Sequence, residues 1–332
     1  MRGLKFGNSL RAAAAAVFVL VAGFSGVARA AEEPIVLKAI TPWAMAYYWC
    51  APMAMFQKMV NKRLKGRVVV SYLGANEVVS PFEQFEALRN GVVDVILGAS
   101  SYYTGQVPEA LAVLYSRLPP SKLRETGYYD IMRDLHMKKG NVVYLANVGG
   151  SPGTAFRFFT RDKIDGPDFS NLKVRVTPVY TELVKALGGT PITMKPSEVY
   201  TALERKVVDG YGWSYGGITD FAWQEVTGYV VDEPFFSANT SILINREAWD
   251  KMPADIQAEL EAIGIELEKA AEKAMAAYNA KEDVLLRGAG MNFVKFTDEQ
   301  SAMFQKTAYA EAWKAYDAKF PELGPKLKSL SE

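Results

Sequence analysis

From Pro81 to Asp94 the chain reads PFEQFEALRNGVVD, and 115 positions later, from Pro196 to Asp209, it reads PSEVYTALERKVVD. Seven of the fourteen aligned residues are identical, and Phe85 and Tyr200 add a matched aromatic pair. In both copies a proline stands where a helix can begin, and Glu83 or Glu198 follows two positions later, where a carboxylate suits the positive end of a helix. The pairs Ala87-Leu88 and Ala202-Leu203 then fall on the inward side, and Val-Val-Asp leads into a strand. One such unit repeated once predicts two α/β lobes of related design. A solenoid would repeat several times at intervals of about 20 to 50 residues.

The surrounding pattern agrees with that reading. Short β-branched runs at Ile35–Ile40, Val68–Tyr72, Val92–Leu97 and Val142–Leu145 alternate with helical stretches. Met53, Phe56, Met59, Val60 and Leu64 recur at helical spacing after Pro52 and predict an amphipathic helix. After a strand-like Ser241–Ile244, two long helices are expected over Ala254–Tyr278 and Glu299–Phe320, bracing the lobes.

The first thirty residues differ in kind. Arg2, Lys5 and Arg11 precede the apolar run Ala12 to Ala22, and Ala28-Arg29-Ala30 supplies a small-residue cleavage site, the pattern of a secretory signal peptide. Removing it takes away four basic residues and leaves 34 Lys+Arg against 37 Asp+Glu, a net charge near −3 that implies no nucleic-acid partner. The remaining length exceeds what one core usually serves, so two lobes are again expected. Cys50 is the single cysteine, so no internal disulfide forms; with His136 the single histidine and no visible base beside it, Cys50 reads as a buried inert thiol.

Ligands of open α/β sheets bind beyond the carboxyl ends of the strands. Gly98 to Tyr103, with Ser101, Tyr102 and Tyr103, and Gly210 to Gly217, with Trp213 and Tyr215, follow the two copies of the repeat and resemble pocket walls; Trp43, Tyr47, Tyr48 and Trp49 follow the first strand. Each aromatic also suits an ordinary core position. Arg157 and Arg175 lie in strand-like surroundings, where an arginine suits either bidentate capture of a carboxylate or a surface ion pair. Neither a Ser-His-Asp set nor a phosphate-binding glycine motif is present, and Asp94 and Asp209, paired by the repeat, read as structural.

The segments LKVRV at Leu172 to Val176, ALGGTP at Ala186 to Pro191, SEVYTAL at Ser197 to Leu203, and Val208-Asp209-Gly210 resemble the extracytoplasmic solute-binding proteins of TRAP transporters, the DctP-type family. The similarity extends to GVVD at Gly91 to Asp94 and NREAW at Asn245 to Trp249. It implies an α/β, two-lobed periplasmic binding protein fold of type II-like topology, with hinge strands and a long spanning helix. Lobe I is expected over 31–151 and 239–281, and lobe II over 152–238 and 282–332. The resemblance further implies a periplasmic protein, not an enzyme, that delivers its ligand to the small and large subunits of a Na⁺-driven permease. Arg175 would grip a ligand carboxylate, and Arg157 would add a second contact. Two departures bear on the ligand. Trp213 replaces the asparagine found in many sialic-acid and C4-dicarboxylate binders, and Gly212 replaces the glutamate that holds a metal in keto-acid and lactate binders. The expected ligand is therefore a small organic acid, a monocarboxylate with an apolar or aromatic body, bound without cofactor or metal and enclosed by Trp43, Tyr47, Ser101, Tyr102, Tyr103, Trp213 and Tyr215. A sensor component presenting the same lobes to a receptor, and more distantly an exported hydrolase, are the competing readings.

Overall fold

The computed structural model describes residues 33–150 and 152–332. The signal peptide expected at 1–30 lies outside the described residues. The strands in chain order are β1 (Ile35–Ile40), β2 (Val68–Gly74), β3 (Val95–Gly98), β4 (Val142–Asn147), β5 (Ala155–Thr160), β6 (Lys173–Val176), β7 (Thr190–Thr193), β8 (Gly210–Ser214), β9 (Tyr229–Val231), β10 (Phe235–Ser237), β11 (Ser241–Asn245) and β12 (Asn292–Val294). They form two sheets, one ordered β2-β1-β3-β11-β4 and the other β12-β9-β5-β8-β6-β7 with β10 on β5.

The two sheets share a design. In the first, β1 runs parallel to β2 and β3, and the antiparallel β11 follows β3. In the second, β6 runs parallel to β7 and β8, and the antiparallel β5 follows β8. The two copies of the repeat feed β3 and β8, which occupy corresponding places. Their geometry matches residue for residue. The eleventh position of each copy is left-handed, at Gly91 (φ 72°) and Lys206 (φ 58°). From there Val92 N–H returns to Ala87 O at 2.9 Å, and Val207 N–H to Ala202 O at 2.8 Å. This return delays the first strand: expected from Val92, it begins at Val95. The copies differ at their start, because Pro196 opens the helix Pro196–Glu204, whereas Pro81 sits in a turn and its helix is Gln84–Arg89.

The aspartates that end the copies are also equivalent. Asp94 accepts the Lys38 main-chain N–H on its carboxylate at 2.8 Å and returns its own N–H to Lys38 O at 2.8 Å. Asp209 does the same with Lys173, at 2.9 and 2.7 Å. Each therefore fastens the entry of its strand to a neighbouring parallel strand, the structural role expected of the pair.

The helix Ala51–Arg63 buries Met53, Phe56 and Val60 as its spacing predicts. The expected Ala254–Tyr278 helix continues to Gly288, 35 residues in all. Its Glu268 is buried, bonds to Arg124 at 2.7 and 2.9 Å, and accepts the N–H of Asn147 on β4 at 3.0 Å. Further along, the buried Glu282 accepts the N–H and hydroxyl of Thr219, just after β8, at 2.8 and 2.7 Å. One helix thus holds a residue of each sheet's surroundings. Among the described residues no helix is long and apolar enough to cross a membrane.

Candidate ligand-binding site

The carboxyl ends of β1, β3, β6 and β8, two from each sheet, converge on one cavity. Trp43 and Trp49 come from the segment after β1, Ser101 and Tyr102 from the turn after β3. Thr177 follows β6, Trp213 and Ser214 end β8, and Phe156 projects from β5. Ala238, Asn239 and Thr240, the link from β10 to β11 and so from the second sheet to the first, complete the wall.

Local bonds fix these side chains. The Trp43 carbonyl accepts from the Thr41 hydroxyl at 2.6 Å and the Cys50 thiol at 3.2 Å, and Gln84 of the first repeat donates to Thr41 O at 2.9 Å. Burial pushes the Cys50 thiol up to about 12, so it stays protonated and serves packing. The rings of Tyr102 and Trp213 both meet Trp43 edge-on, at 5.9 and 5.8 Å between centroids, one from each sheet. Trp49 reaches across the cavity wall to donate its indole N–H to Ser214 Oγ at 2.6 Å. Ser100 donates to Asn239 Oδ1 at 2.7 Å, tying the turn after β3 to the link between the sheets.

Arg175 stands behind this wall. It is fully buried, and its guanidinium donates to Met194 O at 3.1 and 3.0 Å, to Gly212 O at 3.3 Å and to the Tyr180 hydroxyl at 3.3 Å. It lies 5.5 Å from the Trp213 ring. Burial raises the Tyr102 phenol, while the charge of Arg175 pulls it the other way. Tyr180 also donates to Gly212 O at 2.7 Å, and a Cβ added at Gly212 would stand 2.6 Å from the Tyr180 ring. The glycine in this place is therefore required by close packing.

Four of the nine expected site residues, Trp43, Ser101, Tyr102 and Trp213, line the cavity, and Arg175 lies just behind it. Four others do not. Arg157 alternates with Phe156 on β5, so it turns to the opposite face, pairs with Asp232 at 3.3 Å and covers the Tyr215 ring at 4.5 Å. Tyr215 itself donates to the Asp283 carboxylate on the long helix. Tyr103 points into the core, stacked on Phe85 at 4.5 Å and bonded to His136 Nε2 at 3.2 Å. Tyr47 meets Phe221 edge-on at 4.9 Å in a separate, larger hollow that shares Trp43 with the cavity. Thr177, Asn239 and Thr240 were not foreseen. Thr177 carried a signal, since it lies two positions beyond Arg175 at a strand end; the link residues carried none.

The family model described as bacterial extracellular solute-binding protein, family 7 (DctP) matches residues 43–319. The chain belongs to this family. A solute-binding protein of Albidiferax ferrireducens is 24% identical over 275 residues, covering 80% of each chain. Two TRAP periplasmic solute-binding proteins of known structure share the fold. One, from Desulfovibrio salexigens with bound orotic acid, superposes with a TM-score of 0.80 at 19% identity, covering 89% of this chain and 97% of that one. The other, from Roseobacter denitrificans with bound β-D-glucuronate, gives 0.79 at 20% identity, covering 89% and 99%. The family 7 fold is the two-lobed periplasmic binding fold, and its members are receptors rather than enzymes.

Proposed function

We propose that this family 7 protein captures a small organic acid in the cavity and delivers it, in the periplasm, to a Na⁺-coupled TRAP permease. The observation that carries the reading is Arg175. It is fully buried, and its hydrogen bonds end on neutral oxygens: two carbonyls and a phenol. No carboxylate lines the neighbouring cavity. A buried cation without an anionic partner is costly, on the order of several kcal/mol, and an anionic ligand relieves that cost. The aromatic walls, Trp43, Trp49, Tyr102, Phe156 and Trp213, supply a flat apolar enclosure. The carboxylate ligands held by the structural neighbours point the same way.

In this reading the sheets and their helices are the two lobes, with bounds near 31–151 and 239–281 for the first and 152–238 and 282–332 for the second. The lobes close on the acid, and Trp49–Ser214 is among the bonds completed on closure. Binding proceeds without a metal, because Tyr180 fills the space beside Gly212; adding a chelator leaves the dissociation constant unchanged. The direct test is calorimetry with a panel of organic acids on the wild type, Arg175→Lys and Arg175→Ala, with circular dichroism to verify folding. Removing one member of a buried charge pair costs about 2–5 kcal/mol, so Arg175→Ala weakens binding at least roughly 30-fold. Undiminished binding by the folded Ala variant overturns the assignment of Arg175.

A further inference from the structure

The cavity wall carries information about the ligand beyond its charge. Among the described residues, five of the lining side chains hold a buried polar atom with no hydrogen-bond partner: Trp43 Nε1, Trp213 Nε1, Asn239 Nδ2, Thr177 Oγ1 and Thr240 Oγ1. Their exposures are 6, 4, 5, 3 and 1%, so bulk water does not serve them. Leaving a buried polar group unpaired costs about 1–3 kcal/mol, and a native wall that leaves five such atoms unpaired is built for an occupant that pairs them.

The chemistry of the five is one-sided. An indole N–H and an amide NH₂ only donate, and the acceptor side of Asn239 is already taken by Ser100 at 2.7 Å. Ser214 has its proton and one lone pair committed, because it receives the Trp49 indole at 2.6 Å and donates to Gly216 O at 3.0 Å. The unmet capacity is thus three obligate donors and two hydroxyls beside a buried guanidinium, with no carboxylate among the lining residues.

Resting on the organic-acid reading above, we propose that the site selects acids rich in hydrogen-bond acceptors and poor in donors. The preferred ligand is a carboxylate with a carbonyl or equivalent acceptor next to it, as in a 2-oxo acid or an acid with a ring carbonyl. A 2-hydroxy acid brings a proton that the three obligate donors cannot take, so it must compete for the hydroxyl oxygens of the wall, Thr177, Thr240, Ser101, Tyr102 and Ser214. A 2-amino acid brings an ammonium beside Arg175 with no anion to meet it. Polyhydroxylated sugar acids bring several donors at once to a wall whose unpaired atoms are mostly donors.

The test is calorimetry on the full mature chain with two matched trios that differ only at C2: 2-oxo-, 2-hydroxy- and 2-aminobutyrate, and benzoylformate, mandelate and phenylglycine. Glucuronate and orotate complete the set. Within at least one trio the oxo acid binds about tenfold tighter than the hydroxy acid and at least a hundredfold tighter than the amino acid, as expected when buried groups are left unpaired or a charge is opposed. Trp43→Phe, which removes one N–H and keeps a ring, weakens the oxo acid about tenfold and narrows its lead over the hydroxy acid. A hydroxy, amino or sugar acid that binds best overturns the acceptor rule while leaving the organic-acid receptor standing. Failure of every carboxylate to bind overturns both.

Discussion

Replacing Asp94 and Asp209 by alanine, singly and together, tests whether the repeated segment is structural. Each substitution removes a carboxylate that accepts a main-chain N–H, from Lys38 at 2.8 Å and from Lys173 at 2.9 Å. Hydrogen bonds to charged groups contribute about 1.5–3 kcal/mol, with the upper part of the range where water cannot replace the acceptor. The Lys38 bond is partly buried, so Asp94→Ala is expected to cost about 2–3 kcal/mol. The Lys173 bond is exposed and should contribute only about 1–1.5 kcal/mol. Asp209, however, also meets Arg161 at 3.2 Å, with side-chain exposures of 25 and 20%, which adds about 0.5–1 kcal/mol. The two variants should therefore lose similar stability by different routes. Because the residues lie in separate sheets, the double variant should lose the sum within about 0.5 kcal/mol. Urea titration followed by circular dichroism reads the losses, and repeating it in 1 M NaCl should shrink the Asp209 effect more than the Asp94 effect. A loss under about 0.5 kcal/mol for either residue, or lost ligand binding at unchanged stability, refutes the structural assignment.

His136 predicts a pH dependence. Its Nδ1–H donates to Met132 O at 2.7 Å and its Nε2 accepts from Tyr103 at 3.2 Å, and burial lowers its pKa to about 4. The unfolded chain, with a histidine near 6.5, binds the proton first, so the stability His136 contributes is whole above about pH 6.5 and is lost as pH falls toward about 4. The full difference of about 3 kcal/mol is reached only below about pH 4, and roughly 2 kcal/mol of it is read from urea midpoints at pH 7 and 4.5. His136→Gln should flatten it, and an equal pH slope in the variant would remove histidine as the cause. The Arg175 variants, the insensitivity to chelators and the ranking of oxo, hydroxy and amino acids complete the set, each with the calorimetric outcome already stated.

What was legible in the sequence follows from what periodicity encodes. The repeat exposed corresponding places in two sheets, because equal turn geometry at Gly91 and Lys206 and equal aspartate anchors require similar residues. The same logic found Trp43, Ser101, Tyr102 and Trp213, which lie at or just beyond strand ends where ligands gather. It failed where one residue of parity decides the direction. Arg157 and Tyr215 sit next to the lining residues Phe156 and Ser214, yet they project to the other side and pair with Asp232 and Asp283. Tyr103 follows Tyr102 in a tight turn, and the partners that draw it inward, Phe85 and His136, come from distant parts of the chain. Asn239 and Thr240 left no trace because their role depends on a link between sheets, and nothing local distinguishes such a link from any other loop.

The long helix imposes a metric on whatever the cavity does. Glu268, which holds Asn147, and Glu282, which holds Thr219, are fourteen residues apart and project from nearly the same side. At 1.5 Å per residue their separation along the axis is about 21 Å, and an α-helix does not stretch. With both anchors made, Asn147 and Thr219 keep a fixed spacing along that rod, so the sheets retain angular freedom about it but little freedom to slide apart. Under the proposed function, a solute held between Asn239 and Trp213 is registered as an angle, the quantity offered to a membrane partner touching both halves.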